Sequence, residues 1–361
     1  MGTDQSQVPE AEQVVDVHGQ YIMPGLINAH THITNDPTKS DGGVKNIVET
    51  TVDAIKFLHQ LLKSGCTYIR QCGSTYGADV DINQLIQQGK IKQVPNVMAS
   101  GRAFTMTGGH GDYPHGGYVV DSPDEMRKKV RENFKHGAEC IKIMASGGVM
   151  SPGDRMDEAQ LTVEEMKVAV YEAHNKHAIV AAHAEGNPAI QNVIDAGVDS
   201  IEHGFYITNA QIEQIKVQNI YLVPTIVAAW SVATFGKDEL PAWEYNKMSE
   251  AMDDAYANIN NAYQKGAKIA LGTDAGTPYN DFEMTTPKEI ELLVDKEGFT
   301  NFDALHTSYH SAELMGISDE YGSIEPGKMA DFIIMRANPL ADVKAVQQTD
   351  KQVYKNGIRE F

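Results

Sequence analysis

The sequence predicts an α/β protein, a (β/α)8 TIM barrel with a small β domain built from the segments on either side of it. Three observations carry that expectation. Eight short apolar runs fall between Gly25 and Gly276, separated by stretches with helical spacing. The runs are nearly continuous in apolar residues, as parallel strands buried on both faces must be. Residues able to hold a metal or move a proton end several of the runs, just before Gly-, Thr- or Ser-rich breaks. That is the layout of a barrel whose chemistry sits on the C-terminal ends of its strands.

In order, the expected strands are GLINAHTHI (25–33), TYIRQCG (67–73), NVMASGR (96–102) and CIKIMAS (140–146), then IVAAHAE (179–185), SIEHG (200–204), YLVPTIV (221–227) and IALGTDAG (269–276). Helices are expected between them. Ser122-Pro123 supplies a cap and a proline in the first turn, and Lys135-His136-Gly137 closes that helix. Thr162 and Glu165 make a capping box ahead of an apolar period. Trp243 to Tyr263 has helical spacing without Pro or Gly, and a later helix from Phe302 to Leu314 stops at Gly316. Outside this core, VVDVHGQYIM, ADFIIM and KQVYKNGIREF read as strands, with Asn356-Gly357 as a hairpin turn. The domains are therefore 1–24 and 319–361 for the small β domain and 25–318 for the barrel.

Composition narrows the function. At 361 residues, one barrel with an accessory piece is the expected size. Thirty basic against 49 acidic residues give a net charge of −19, and no Lys/Arg block occurs. Nucleic acid and anionic membranes are thus excluded as expected partners. No run approaches the ~20 apolar residues of a membrane-spanning helix. MGTDQSQVPEAEQ lacks the apolar core of a signal peptide, so the cytoplasm is the expected location. Cys66, Cys72 and Cys140 are odd in number and lack CxxC spacing, which argues for buried free thiols over disulfides or a Cys-held zinc. A small-molecule substrate is expected, and a homo-oligomer is left open.

The ligand-type residues are His30 and His32, Lys142, His183, His203 and Asp274. His30 and His32 are two apart, so both emerge on one face of a strand, and neutral imidazoles are good zinc ligands. Lys142 lies between Ile141 and Ile143 in an apolar strand, where burial penalises a charged amine; the other reading is an outward, snorkelling lysine. Taken singly, His183 and His203 could each be a satisfied structural histidine, and Asp274 a turn or cap residue.

Taken together, the order His-x-His, Lys, His, His, Asp on successive strands resembles the amidohydrolase superfamily. YIMPGLINAHTHI, IKIMASGGV and GSIEPGKMADFIIM are similar to its branch of imidazolonepropionase-like enzymes and metal-dependent Xaa-Pro or Xaa-Arg dipeptidases. The likeness runs from about Val14 to about Val343. It implies two divalent metal ions, zinc by preference, bridged by a carbamate that Lys142 forms with carbon dioxide. His30, His32 and Asp274 would serve the first metal, His183 and His203 the second. Water between two cations is acidified at neutral pH, and Asp274 would act as general base and then acid. The likeness also implies a small β-sandwich built from the residues before and after the barrel; the family usually places several strands before the first metal motif, and here there is room for one or two, so a truncated or reduced small domain is expected.

Substrate contacts are drawn from three residues. His110 lies in a Gly-rich loop, TMTGGHGDYPHGGY, after Arg102, and Tyr206 follows His203 by three. His110 and Tyr206 are candidate catalytic or substrate-carboxylate contacts, with loop packing as the alternative. Arg102 is a further candidate. Arg70 reads as an ion-pair partner or a carboxylate clamp; Asp154 and Arg155 are weaker candidates, and His306 and His310 read as a helix face. The leading expectation is a hydrolase of dipeptides or N-acyl amino acids with a free carboxylate. A cyclic amidohydrolase of the imidazolonepropionase type and a non-catalytic barrel scaffold are the alternatives; Lys142 weighs against the first, and the retention of every ligand against the second.

Overall fold

Short apolar segments bounded by glycines fold as strands because two buried faces reward β-branched and aliphatic residues at every position. The computed structural model describes residues 10–11, 13–39, 43 and 45–361. Its strands are β1 (Tyr21–Pro24), β2 (Leu26–Thr31), β3 (Cys66–Gln71), β4 (Asn96–Met98), β5 (Phe104–Thr105), β6 (Tyr118–Val119) and β7 (Ile141–Met144). They are followed by β8 (Val180–Ala184), β9 (Ser200–His203), β10 (Tyr221–Val223), β11 (Phe332–Met335), β12 (Gln352–Lys355) and β13 (Ile358–Arg359).

Two parallel sheets result, one in the order β2-β3-β4 and one in the order β10-β9-β8-β7-β5-β6. Main-chain contacts link them at both seams. Glu139 and Cys140 N–H donate to the Ala99 carbonyl at 2.7 and 3.3 Å, joining the β7 side to the end of β4. On the other side the segment 269–276 lies between β10 and β2: Ile269 bridges Leu222, Ala275 bridges Thr31, and Ala29 N–H donates to Leu271 O at 2.7 Å. This segment was expected to be a full strand, yet only isolated bridges form. Asp274 at φ 58° and Gly276 at φ 109° turn the chain out of the extended region, so a continuous ladder cannot run through them. The paired short strands β5 and β6 had no signal in the sequence.

Helices pack outside the sheets where their caps were legible. The Ser122 hydroxyl accepts from Glu125 N–H ahead of the helix Pro123–His136, and Gly137 closes it at φ 112°. Thr162 and Glu165 form the reciprocal capping box of Val163–His174. The long helix spans Ala242–Gln264, and Asn301–Leu314 ends just before Gly316.

β1, β11, β12 and β13 form a separate antiparallel sheet, the last two joined through Asn356 and Gly357 at φ 51° and 76°. Positive φ at both turn residues matches the strand twist of a two-residue hairpin. Among the described residues the small β domain is this one sheet, not a sandwich of two. The polar leader 1–9 lies outside the described residues. Cys66, Cys72 and Cys140 are free and buried. Among the described residues no helix is long and apolar enough to cross a membrane.

The core is aliphatic, but two of its largest fully buried side chains are Arg70 and Lys142. Charged groups in such surroundings need partners or a function.

Candidate metal centre

His30 and Asn28 end β2 in a hydrogen-bonded corner. Asn28 Nδ2 donates to the hydroxyls of Thr273 and Thr286, and its Oδ1 accepts from His30 N–H. This ties β2 to the segment carrying Asp274. The His30 ring is then fixed from behind. Its Nδ1–H donates to Glu202 Oε2 at 2.6 Å, leaving Nε2 turned forward. His32 repeats the arrangement, with Nδ1–H on the Gly73 carbonyl at 3.1 Å. Such outer acceptors set the tautomer of a ligating imidazole. The two forward Nε2 atoms are 3.3 Å apart, and Asp274 Oδ1 stands 3.2 Å from His30 Nε2 and 3.0 Å from His32 Nε2.

His183 and His203 face the same space from β8 and β9. His183 Nε2–H donates to the Gly147 carbonyl, which leaves Nδ1 forward; His203 Nδ1 pairs with the Thr225 hydroxyl at 2.7 Å, which leaves Nε2. Ring centroids are 5.2 Å apart for His30 and His203 and 4.7 Å for His183 and His203. Glu202 and His203 are sequence neighbours, yet both reach His30. A regular strand would send them to opposite faces. His203 sits at φ 70°, in the left-handed region, and that turn brings its ring back over the centre. Asp274 at φ 58° is held likewise. Non-glycine residues in this region cost on the order of 1 kcal/mol and gather at functional sites.

Lys142 comes from the middle of β7. It is buried at 1 % exposure, and among the described residues its Nζ makes no hydrogen bond or ion pair. Ligand-type atoms fall into overlapping groups, His30 with His203 and Asp274, and His183 with Glu185 and His203, each within 4.8 Å. All six expected ligands line one cavity of about 410 Å3.

Electrostatics fit a cation at this place. Burial pushes the His183 and His203 imidazoles well below their ordinary range, keeping them neutral and ligand-ready. Burial also opposes charge on His30, but Cys72, Asp274 and Glu202 outweigh it, with Lys142 opposing, and raise His30 to about 10. Burial would raise the Asp274 carboxyl; the charge of His30 and hydrogen bonds from His30 and His32 hold it well below the usual carboxylate range. Two imidazole nitrogens and a carboxylate oxygen thus converge on one point with their outer atoms already committed. Such a donor set of imidazole and carboxylate suits a divalent metal.

Beneath the centre, Glu202 joins it to a buried ion pair. Arg70 Nη2 donates to Glu202 Oε1 at 2.7 Å, while its Nε and Nη1 donate to Ala29 O and Ser200 Oγ at 2.5 and 3.0 Å. Of the two readings of Arg70, the ion-pair partner is the one built here. Glu202 was missed in the sequence, where strand alternation would set it on the face opposite His203.

The remaining candidates separate. His110 lines the cavity and stacks on His183 at 4.5 Å and 13°. Asp154 lines it as well. Tyr206 is half-buried against the core and is not part of the lining. The Arg102 guanidinium is spent on the Gly116 and Gly117 carbonyls at 2.6 Å each and on the face of Tyr118, not on the cavity. Arg155 pairs with Asp157 on the surface. His310 donates to the Ile269 carbonyl and meets the His306 ring edge-on at 80°, a helix face as anticipated.

The amidohydrolase family model matches residues 21–358, nearly the full chain. The chain belongs to the amidohydrolase family. An ochratoxinase of Aspergillus niger is 31 % identical over 369 residues, covering 93 % of this chain and 75 % of the relative. Among solved structures, a prolidase complexed with N-methylphosphonate-L-proline matches with a TM-score of 0.89 at 27 % identity, covering 98 % of this chain and 90 % of the other. A Xaa-Pro dipeptidase with methionine bound in its active site matches with a TM-score of 0.86 at 32 % identity, covering 94 % and 86 %. Hydrolysis is the chemistry of the family, and the similar prolidase and dipeptidase structures agree with the branch the sequence motifs pointed to.

Proposed function

We propose that this amidohydrolase is a binuclear metal enzyme that cleaves dipeptides or N-acyl amino acids with a free C-terminal carboxylate. The observation that carries the reading is the convergence of His30, His32, Lys142, His183, His203 and Asp274 on one cavity. Two zinc ions would be held by His30, His32 and Asp274 on one side and His183 and His203 on the other, with Lys142 as a carbamate between them. Residues 25–318 would form the closed (β/α)8 barrel, with the segments around it as the small β domain. The names of the similar prolidase and dipeptidase structures support a peptide-like substrate.

Bound there, the metals would polarise the scissile carbonyl and acidify the attacking water. The protein's own groups do the rest. Asp274, ionised and placed against both His30 and His32, receives the water's proton and returns it to the leaving amine. Glu202 keeps the His30 tautomer fixed, and the Thr225 hydroxyl holds the orientation of the His203 ring.

Elemental analysis of protein prepared with zinc and bicarbonate is expected to give about two metals per chain. A panel of dipeptides and N-acyl amino acids should be hydrolysed in preference to their amidated forms. One metal or none, or a preference for cyclic amides, would overturn the reading.

The free carboxylate needs a donor, and His110 is the candidate that faces the cavity, with Tyr206 behind it. Losing a charge-assisted hydrogen bond costs about 1.5–3 kcal/mol, or roughly ten- to a hundredfold in kcat/KM. His110→Asn is expected to lose that much on free-acid substrates and little on amidated ones, with Tyr206→Phe changing less. Equal behaviour of both variants and the parent on the two substrate types would remove both residues from the role.

A further inference from the structure

One charged group near the cavity is fully engaged without touching the metal ligands. Lys247 projects from the helix Ala242–Gln264 into the loop that follows β7. Its Nζ donates to three carbonyls of that one loop, Gly148 at 3.1 Å, Ser151 at 2.7 Å and Asp154 at 2.7 Å, and stands 3.5 Å from Asp154 Oδ1. An ammonium has three protons, so the three carbonyls saturate it. Residues 149–154 of this loop all line the cavity. Neither the helix nor the loop alone would bring these carbonyls to one point; the lysine acts as a fixed internal cation around which the loop folds.

The loop in turn holds His110. Ser151 Oγ lies 3.0 Å from His110 Nδ1, and Asp154 Oδ2 lies 3.5 Å from it. Asp154 Oδ2 also accepts from Gln160, whose Oε1 accepts from the His110 N–H. Gly148 packs against the imidazole so closely that a Cβ there would stand 2.6 Å from His110 Cε1. The imidazole is therefore boxed between His183 on one face and this loop at its edge.

We infer that Lys247 is a positioning residue: it folds the loop 148–154 into the cavity wall and so sets the His110 ring in the orientation that receives the substrate. The substrate part of this inference rests on the function proposed above; the loop part does not. A lysine is suited to the task because its compact charge accepts convergent carbonyls, whereas the planar fork of arginine does not.

Lys247→Met keeps the stem and removes the charge. Trypsin should then cut after Arg155, whose guanidinium is already exposed at the end of the loop, at least about tenfold faster than in the parent, since cleavage follows the population of the opened loop. KM for free-carboxylate substrates should rise about tenfold while kcat stays within about threefold and metal content is unchanged. In Lys247→Ala, n-propylammonium should slow the cleavage and lower KM again, which a general loss of packing would not allow. Unchanged cleavage at Arg155 overturns the inference whatever the substrate is. Faster cleavage with unaltered KM, or a joint fall of kcat and metal content, overturns the positioning of His110. A parent enzyme inactive on free-acid substrates overturns the functional reading and leaves the loop result to stand on proteolysis.

Discussion

Replacement of Lys142 by alanine is expected to remove one of two metals and to lower kcat more than about a thousandfold. The size follows from what a metal supplies to a reacting carbonyl, several kcal/mol of charge stabilisation, with each 1.4 kcal/mol worth a factor of ten. The site explains why no other residue can substitute. Among the described residues Lys142 is the one buried amine lining the cavity, it is without hydrogen bond or ion pair, and it comes from β7 to the cavity that the four histidines also line. A buried lysine with no partner would cost stability with no return; one that gains an anionic carbamate between cations does not. Lys142→Ala should therefore fold with an unfolding midpoint no lower than the parent's metal-free form. Formate or acetate should restore part of the metal content and of the activity, by supplying the missing bridge. Full metal content and activity in Lys142→Ala would show that the lysine is not the bridge.

Much of this centre was legible because ligand residues sit where strands end, and strand ends carry both an apolar run and a glycine-rich break. His30, His32, His183, His203 and Asp274 could be found that way, Lys142 stood out as a charged residue inside an apolar run, and the structure brings all six into one cavity. The caps at Ser122 and Thr162 were legible because a side-chain oxygen satisfying helix N–H groups leaves a fixed spacing. What stayed hidden depends on backbone angles and on long-range partners. The left-handed turns at His203 and Asp274 break the alternation from which facing is read, so Glu202 and His203 both reaching His30 has no pattern in the sequence. The segment 269–276 fails as a continuous strand for the same reason. Arg102 looked like a cavity residue because it precedes the Gly-rich loop, but its guanidinium folds back onto Gly116 and Gly117 inside that loop. Lys247 lies about a hundred residues from the carbonyls it gathers, and no local signal marks it.

The second large effect is expected below the metal centre, at Arg70. Its guanidinium and the Glu202 carboxylate are both completely buried and are joined at 2.7 Å. Burial would push Glu202 up, but Arg70 and His30 hold it well below the usual carboxylate range, so it stays ionised. Replacing a buried ion pair by apolar groups is often neutral, whereas removing one partner strands the other charge at a cost of about 3–5 kcal/mol. Arg70→Met is therefore expected to lower unfolding stability by about that amount, read from urea unfolding of metal-free protein. Without Arg70 burial drives the stranded Glu202 to take up a proton, so His30 loses its anionic acceptor, and metal affinity should also fall about ten- to a hundredfold, as it does when a ligand's outer partner is lost. Arg70→Met combined with Glu202→Gln should recover part of the stability, because the amide carries no charge to strand, but should not recover metal affinity, because His30 still lacks its anionic acceptor. That divergence separates the two jobs of the pair. If Arg70→Met unfolds at the parent's urea midpoint, the buried charge is compensated elsewhere and the account of Glu202 as a charge shared by Arg70 and His30 fails.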